Sequence, residues 1–205
     1  MVLKADAELV QIVDAATADA ARRSGAWLKC RPGCTQCCVG VFAISQLDAT
    51  RLRAGLWELE QSDARRATAV RMRAEEAWER LSAQFPGDVE CGVLSEAGED
   101  EFEDFAGFED FANDEPCPAL DPVTGRCDLY AARPMTCRVF GPPIRSAEGV
   151  GVCELCFDGA TEEEILHAEL KMDWSLLEDA LNAEAEEAVG VQGSTIVAFA
   201  LSKRR

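Results

Sequence analysis

Nine of the ten cysteines of this chain fall into two stretches that are far apart in the sequence. The first stretch reads C-x3-C-x2-C-C, and Pro32 and Gly33 predict a turn between its first two cysteines. The second contains a C-P-x-L motif, a G-x-C motif and, further on, a C-x2-C pair. A turn directs neighbouring thiols toward one point, which is what a soft metal ion requires of its ligands. The pattern therefore predicts a fold organised around thiolate–metal bonds.

The candidate metal ligands are the cysteines of these two stretches. Nine thiols exceed by one the eight that two tetrahedral sites use, so either one is left over or one bridges two metals. Adjacent cysteines do not easily face the same way in an extended chain, so the adjacent pair is predicted to serve different centres or different edges of one centre. Cys91 stands alone and is interpreted as a small, partly buried thiol. The candidate ligands are Cys30, Cys34, Cys37, Cys38, Cys117, Cys127, Cys137, Cys153 and Cys156.

Charge and hydropathy restrict the partners of the chain. Its net charge of -18 argues against binding to nucleic acid and to an anionic membrane surface. Residues 1–29 lack the features of an export signal, and no segment approaches the roughly 18 apolar residues of a membrane span. We therefore expect a cytoplasmic protein whose cysteines stay reduced. In that compartment, dense cysteines indicate metal ligation more often than disulfides.

Arginines accompany the cysteines. Between Pro86 and Ala160 the basic residues are four arginines, all of them among the cysteines. A divalent ion held by four thiolates carries a net charge of about -2, which nearby guanidinium groups stabilise. Arg145 is equally compatible with an ion pair to a surface carboxylate. The candidates for the shell around the ligands are Arg31, Arg126, Arg133 and Arg138.

Hydrophobic periodicity and capping residues predict the helices. One helix is expected from Leu3 to about Trp27, one from the cap Ser45 to about Glu60, and one from the cap Ser62 to a point before Pro86. Thr161 and Glu164 form a capping-box pattern, and Asp173 can cap a second C-terminal helix. The apolar run Thr195–Leu201 is interpreted as a terminal strand, and the turn after Cys117 as a hairpin.

These elements predict a mostly α fold with a small irregular β portion (α+β). We expect one cysteine-rich, metal-organised domain over residues 1–205, with N-terminal helices and C-terminal helices at about 161–189. The metal-binding segments are residues 30–38 and 117–156.

A low-complexity insertion at about 96–115 separates the two cysteine stretches. It holds ten acidic residues in twenty and places Phe102, Phe105, Phe108 and Phe111 at three-residue spacing. One interpretation is a solvated acidic segment whose phenylalanines fold partly back onto the domain. The other is a docking segment for a basic protein partner.

Few residues suggest catalysis. His167 is the single histidine and is predicted to face solvent. The sequence has no glycine-rich phosphate loop and no G-x-S-x-G elbow. Catalytic residues are therefore unknown, and the sequence leaves open whether the protein is an enzyme.

On these cysteines the sequence resembles the bacterial YkgJ-type cysteine-cluster family. Its motif, C-x3-C-x2-C-C followed by C-P-x-L, a turn, G-x-C-x-x-Y, A-R-P and C-R, is matched at Cys30–Cys38 and at Cys117–Arg138. The family is described as zinc- or iron-chelating, so the resemblance implies chelation of zinc or of an iron–sulfur cluster. One branch is associated with methylation of flagellin lysines, but the resemblance places no catalytic residue in this chain.

Three functions follow from these observations. The first is a metal-binding protein in which the metal holds the two cysteine stretches together. The second is an iron–sulfur enzyme for protein methyl transfer or redox chemistry, because Cys30, Cys34 and Cys37 also resemble the cluster loop of radical S-adenosylmethionine enzymes. The third is a metal carrier that docks on a partner through the acidic segment.

Overall fold

The structure, a computed structural model, describes residues 2–95, 111–146 and 149–203. Helices dominate these segments, as the sequence predicts. Short 3-10 turns at Gly25–Trp27, Gln36–Cys38, Ser82–Gln84 and Tyr130–Ala132 extend or connect them. The helices are α1 (Val2–Ser24), α2 (Gln46–Ser62), α3 (Ala64–Leu81), α4 (Met135–Val139), α5 (Glu162–Ala168), α6 (Ser175–Val189) and α7 (Val197–Leu201).

The β structure consists of three antiparallel pairs of very short strands. β1 (Gly87–Asp88) pairs with β2 (Val93–Leu94), and β3 (Leu120–Asp121) pairs with β4 (Arg126–Cys127). β5 (Ile144–Ser146) pairs with β6 (Gly149–Gly151). The predicted mostly α fold with a small irregular β portion is confirmed, and so is the hairpin after Cys117.

The chain forms two compact units. The first unit contains Met1–Pro32 and Met135–Leu181, and the second contains Gly33–Pro134 and Asn182–Arg205. Each unit is therefore built from two separate pieces of sequence, and the boundary between the first pieces falls inside the C-x3-C-x2-C-C motif. The expectation of a single domain stays a prediction.

Capping residues set the helix starts. The Ser45 side chain accepts the Asp48 N–H at the start of α2, as predicted. The capping box of Thr161 and Glu164 is also present at α5. The predicted cap of α3 was wrong by one residue, because Asp63 and not Ser62 accepts the N–H of Arg66. A carboxylate satisfies that N–H group as well as a hydroxyl does.

The core of the second unit lies among α2, α3 and α7. Leu52, Val70 and Ala200 are almost fully buried there, and Cys117 and Cys127 pack against the same cluster. Gly55 on α2 approaches the 3-10 turn at Tyr130–Ala132 so closely that a Cβ at this position would lie 2.3 Å from the Cβ of Ala132. Glycine is required here by packing and not by backbone conformation.

The terminal strand predicted at Thr195–Leu201 was wrong. Thr195 alone forms a β-bridge, with Ile44, and Val197–Leu201 is helix α7. All five residues of α7 are buried. A short apolar run that is buried on every side lacks the periodicity that distinguishes a helix from a strand.

The acidic insertion lies largely outside the described residues, since residues 96–110 are not described. Its last phenylalanine, Phe111, is buried against Phe85, with the two rings edge to face and their centroids 6.3 Å apart. Phe111 therefore packs on the core of the second unit, and both interpretations of the rest of the insertion stay predictions.

In the first unit, α1 packs along α4 and α5. Leu9, Val13 and Ala20 on α1 are fully buried, which confirms the predicted amphipathic helix. Arg145 on β5 forms a two-bonded ion pair with Glu169, both N···O distances being 2.7 Å. None of the helices in the described part of the chain has the length and apolar character to cross a membrane.

The close approach at Gly55 makes a testable prediction. Alanine normally stabilises a helix relative to glycine, but we expect Gly55→Ala to destabilise the protein by about 1–3 kcal/mol because the new methyl group overpacks against Ala132. Urea denaturation measures the change. Adding Ala132→Gly to Gly55→Ala should leave the protein no less stable than Ala132→Gly alone, and an additive loss would contradict the packing argument.

The ion pair in the first unit predicts a pH dependence. The hydrogen bonds from Arg145 hold the pKa of Glu169 below its usual value, so the pair stabilises the protein above the unfolded pKa of about 4.3 and this contribution is lost as the pH falls through the folded pKa. We expect Arg145→Gln to lower the melting temperature slightly at pH 7. The difference from wild type should shrink below about pH 4.3. In a Glu169→Gln background, the substitution should have no such pH dependence.

Candidate metal centre

The first cysteine stretch contributes Cys34, Cys37 and Cys38 to the second unit. Gly33 has φ +90°, a conformation that residues with a Cβ rarely adopt, and it allows the chain to turn there. A 3-10 turn at Gln36–Cys38 follows, closed by the Cys38 N–H, which donates to the Thr35 carbonyl at 2.8 Å. The turn predicted from the sequence is therefore present, and the three cysteines are half-buried.

The thiols of Cys37 and Cys38 are hydrogen bonded to each other. This hydrogen bond and burial raise the pKa of Cys37 far above its ordinary value. The 3-10 turn, unlike an extended chain, lets two adjacent side chains point the same way. The prediction that the two serve different centres or different edges of one stays a prediction.

The hairpin β3–β4 positions Cys117 and Cys127. Cys117 precedes β3, and Cys127 lies on β4 opposite Leu120. The backbone N–H groups of Ala119 and Leu120 bond to the sulfur of Cys117, and that of Leu129 bonds to the sulfur of Cys127. Such N–H donors stabilise thiolates that hold a metal. The hairpin therefore provides the environment of a thiolate before any metal binds.

Burial opposes ionisation of both thiols. It raises the pKa of Cys117 to about 12, and a nearby negative charge on Cys127 would raise it further. Burial is also the main reason why the pKa of Cys127 is raised, with Asp128 and Cys37 adding to the effect. Both thiols are thus protonated at neutral pH without metal. Cys117 and Cys127 would have to lose these protons to hold a metal ion, so the free energy of metal binding would have to exceed the cost of deprotonation.

Backbone contacts join the two stretches in the second unit. The N–H of Cys117 donates to the carbonyl of Cys38 at 2.8 Å, and Val39 forms a β-bridge with Pro116. The turn of the hairpin lies against the first stretch, because a Cβ at Gly125 would be 3.5 Å from the Cα of Gly33. These contacts place the turn that carries Cys37 and Cys38 beside the hairpin that carries Cys117 and Cys127.

Two arginines act on these thiols. The charge of Arg133 lowers the pKa of Cys127, although burial dominates. Arg133 also stacks on the ring of Tyr130, 4.1 Å from its centroid. Arg73, which the sequence did not single out, lowers the pKa of Cys117 and donates to the carbonyl of Pro118 at 2.8 Å. Arg73 lies on α3, far from the cysteines in sequence, so no local pattern could reveal it.

The other predicted arginines have different surroundings. Arg31 and Arg126 are exposed beside Cys30 and Cys127 in the sequence. Arg138 is 2% exposed and donates to Asp14 at 2.9 Å, an ion pair within the first unit. A role for these three beside a metal stays a prediction.

The remaining four candidate ligands belong to the first unit: Cys30, Cys137, Cys153 and Cys156. Cys153 and Cys156 are buried and form a turn in which the Cys156 N–H donates to the Cys153 carbonyl at 2.8 Å. Cys137 lies on α4, and Cys30 is exposed.

Cys91 and His167 are the cysteine and the histidine that the sequence does not predict to be metal ligands. Cys91 lies in the β1–β2 hairpin with its thiol 3.9 Å from the Asp88 carbonyl, and burial raises its pKa. His167 is exposed on α5, as predicted. Cys91 thus provides a matched control for the candidate ligands.

The donor set fits a soft metal ion. Across the described residues, no three His, Cys, Asp or Glu side chains already have their donor atoms placed to hold an ion. Cys37 and Cys38 share a hydrogen bond, and backbone N–H groups bond to the sulfurs of Cys117 and Cys127.

Helices that carry a small hairpin and bring cysteine segments together from distant parts of the sequence define an α+β cysteine-cluster protein. The model of the CxxCxxCC family, described as "Putative zinc- or iron-chelating domain", matches residues 29–156, a range that includes all ten cysteines. The chain belongs to this family, and the resemblance seen in the sequence is confirmed. No curated protein and no solved structure matches the chain significantly.

The charge beside Cys127 makes a testable prediction. Arg133→Gln removes a cation that stabilises the Cys127 thiolate, so we expect metal affinity to fall about tenfold. Competition with a chromophoric chelator measures the affinity. Arg145→Gln removes the same charge from a residue that is paired with Glu169, and it should leave the affinity unchanged. Equal losses of metal affinity in the two variants would mean that the net charge of the protein, and not the position of Arg133, sets the affinity.

Proposed function

We propose that this protein binds zinc or an iron–sulfur cluster through cysteine thiolates, and that the bound metal holds together cysteine segments that are distant in sequence. The ligands in the second unit come from Cys34, Cys37, Cys38, Cys117 and Cys127. A bound metal would link the turn at Gln36–Cys38 to the β3–β4 hairpin through metal–thiolate bonds.

The observation that carries this proposal is the junction at Cys38 and Cys117. One backbone hydrogen bond places the two stretches side by side, and Cys127 lies close enough to Cys37 and to Cys117 for the ionisation of one thiol to raise the pKa of its neighbour. Cysteines used only as small apolar residues need no such convergence, and they need no N–H donors on their sulfurs.

The scaffold supports the same role. Cys117 and Cys127 pack against the core formed by α2, α3 and α7, and Asp128 is bound by Arg66 at 2.8 Å and by Arg73 at 2.7 Å. The ion pairs hold the hairpin through Asp128 and do not involve the sulfur atoms of Cys117 and Cys127. A structural metal site of this kind contributes on the order of 10 kcal/mol to folding.

A second candidate function is metal transfer. Cys30 is exposed and Cys34, Cys37 and Cys38 are half-buried, so an acceptor could reach several thiols without unfolding the chain. A carrier would give up its metal to a competing chelator within minutes, whereas a structural site would retain it. An iron–sulfur enzyme stays a prediction of the sequence.

The test is metal analysis of protein purified without oxygen. We expect at least one equivalent of zinc or iron per chain, with iron giving a broad visible absorption band and zinc none. Cys117→Ser should bind less metal and melt at a lower temperature, because it removes one of the two thiols that the hairpin contributes. Cys91→Ser should retain the metal content of wild type. Wild-type protein that holds no metal, even after anaerobic reconstitution, would refute the proposal.

A further inference from the structure

We infer that the protein holds two metal centres and that Cys30 belongs with Cys137, Cys153 and Cys156, and not with the rest of its own sequence motif. This inference rests on the proposed function, since it names which thiolates share a metal. The geometry assigns four thiols to a centre in the first unit and five to a centre in the second.

The C-x2-C turn is the first part of the argument. Cys153 is 8% and Cys156 3% exposed, and both pack with Phe157 and Ala168 in a cluster that also contacts Trp27 and Leu28. Trp27 and Leu28, which precede Cys30 closely in the chain, thus pack against the cluster that contains these two thiols.

A hydrogen bond from the residue before Cys30 reaches the sulfur of Cys156. The donor is the backbone N–H of Lys29, and its nitrogen lies 3.3 Å from that sulfur. The Phe157 N–H also donates to the carbonyl of Trp27, at 3.2 Å. These two bonds hold residues 27–30 against the C-x2-C turn.

Gly141 connects Cys30 to the helix that carries Cys137. A Cβ at Gly141 would lie 2.9 Å from the sulfur of Cys30, and the residue has φ +121°. Gly141 follows directly after α4 and Phe140, four positions beyond Cys137. The thiol of Cys30 therefore lies beside the end of the helix on which Cys137 is placed.

The division also matches the number of ligands. Four thiolates complete one tetrahedral site in the first unit, and four of the five thiols in the second unit complete another. The leftover thiol noted in the sequence then belongs to the second unit, where Cys37 and Cys38 are adjacent and hydrogen bonded. Cys30 and Cys34 are assigned to different units, although only three residues lie between them.

Double variants test this assignment, with zinc as the probe under anaerobic, reducing conditions. Wild type should bind two zinc ions per chain. Cys30→Ser and Cys156→Ser should each lose the same ion, so the double variant should still bind one. Cys30→Ser combined with Cys117→Ser should lose both ions. Circular dichroism checks that each variant keeps its helices.

Other stoichiometries would overturn the inference. If the Cys30→Ser, Cys117→Ser variant keeps one zinc ion, the two cysteines share a centre, and the assignment of Cys30 is wrong. A single ion in wild type, lost in either Cys30→Ser or Cys117→Ser, means one common centre while the proposed function stands. Wild type without zinc means that the proposed function itself has failed.

Alkylation of wild-type protein provides a measurement that does not depend on the folding of variants. During stepwise removal of zinc by a chelator, Cys30, Cys137, Cys153 and Cys156 should become reactive together, as followed by mass spectrometry. Reactivity of Cys30 that instead rises in step with Cys34 and Cys37 would contradict the division.

Discussion

The backbone hydrogen bond between the Cys117 N–H and the Cys38 carbonyl is the contact on which the site in the second unit depends. It joins a 3-10 turn to a hairpin, neither of which is long enough to be stable alone. The hairpin is held in turn by the packing of Cys117 and Cys127 on the core of α2, α3 and α7. The helices therefore act as the rigid support, and the irregular segments carry the chemistry.

Electrostatics explain why so acidic a chain can gather thiolates. The net charge of -18 disfavours further negative charge, and burial raises the pKa of Cys117 and Cys127. Arg133 and Arg73, together with the N–H groups on the two sulfurs, act in the opposite direction. The metal-free site thus keeps its thiols neutral. A bound cation would convert them to thiolates in surroundings that already contain the compensating donors.

The sequence predicted the long helices well because their signals are local. Apolar periodicity located α1, and side-chain caps located the starts of α2 and α5. The prediction failed at Val197–Leu201, where burial on all sides erased the periodicity, and it missed Arg73, whose link to Cys117 exists only after α3 packs behind the hairpin. The close contact of Gly55 with Ala132 was likewise not predicted, because no local sequence pattern indicates a contact between residues so far apart in the chain.

The sequence by itself determined the family and the turn at Pro32 and Gly33, because both depend on residue type and spacing along the chain. Only the tertiary structure decided which cysteines meet. Cys30 and Cys34 are neighbours in sequence yet fall in different units, whereas Cys38 and Cys117 are distant in sequence yet share a hydrogen bond. The physical reason is that proximity in space follows from how the helices bury their apolar faces, and that packing brings together residues whose sequence separation carries no information about their contact.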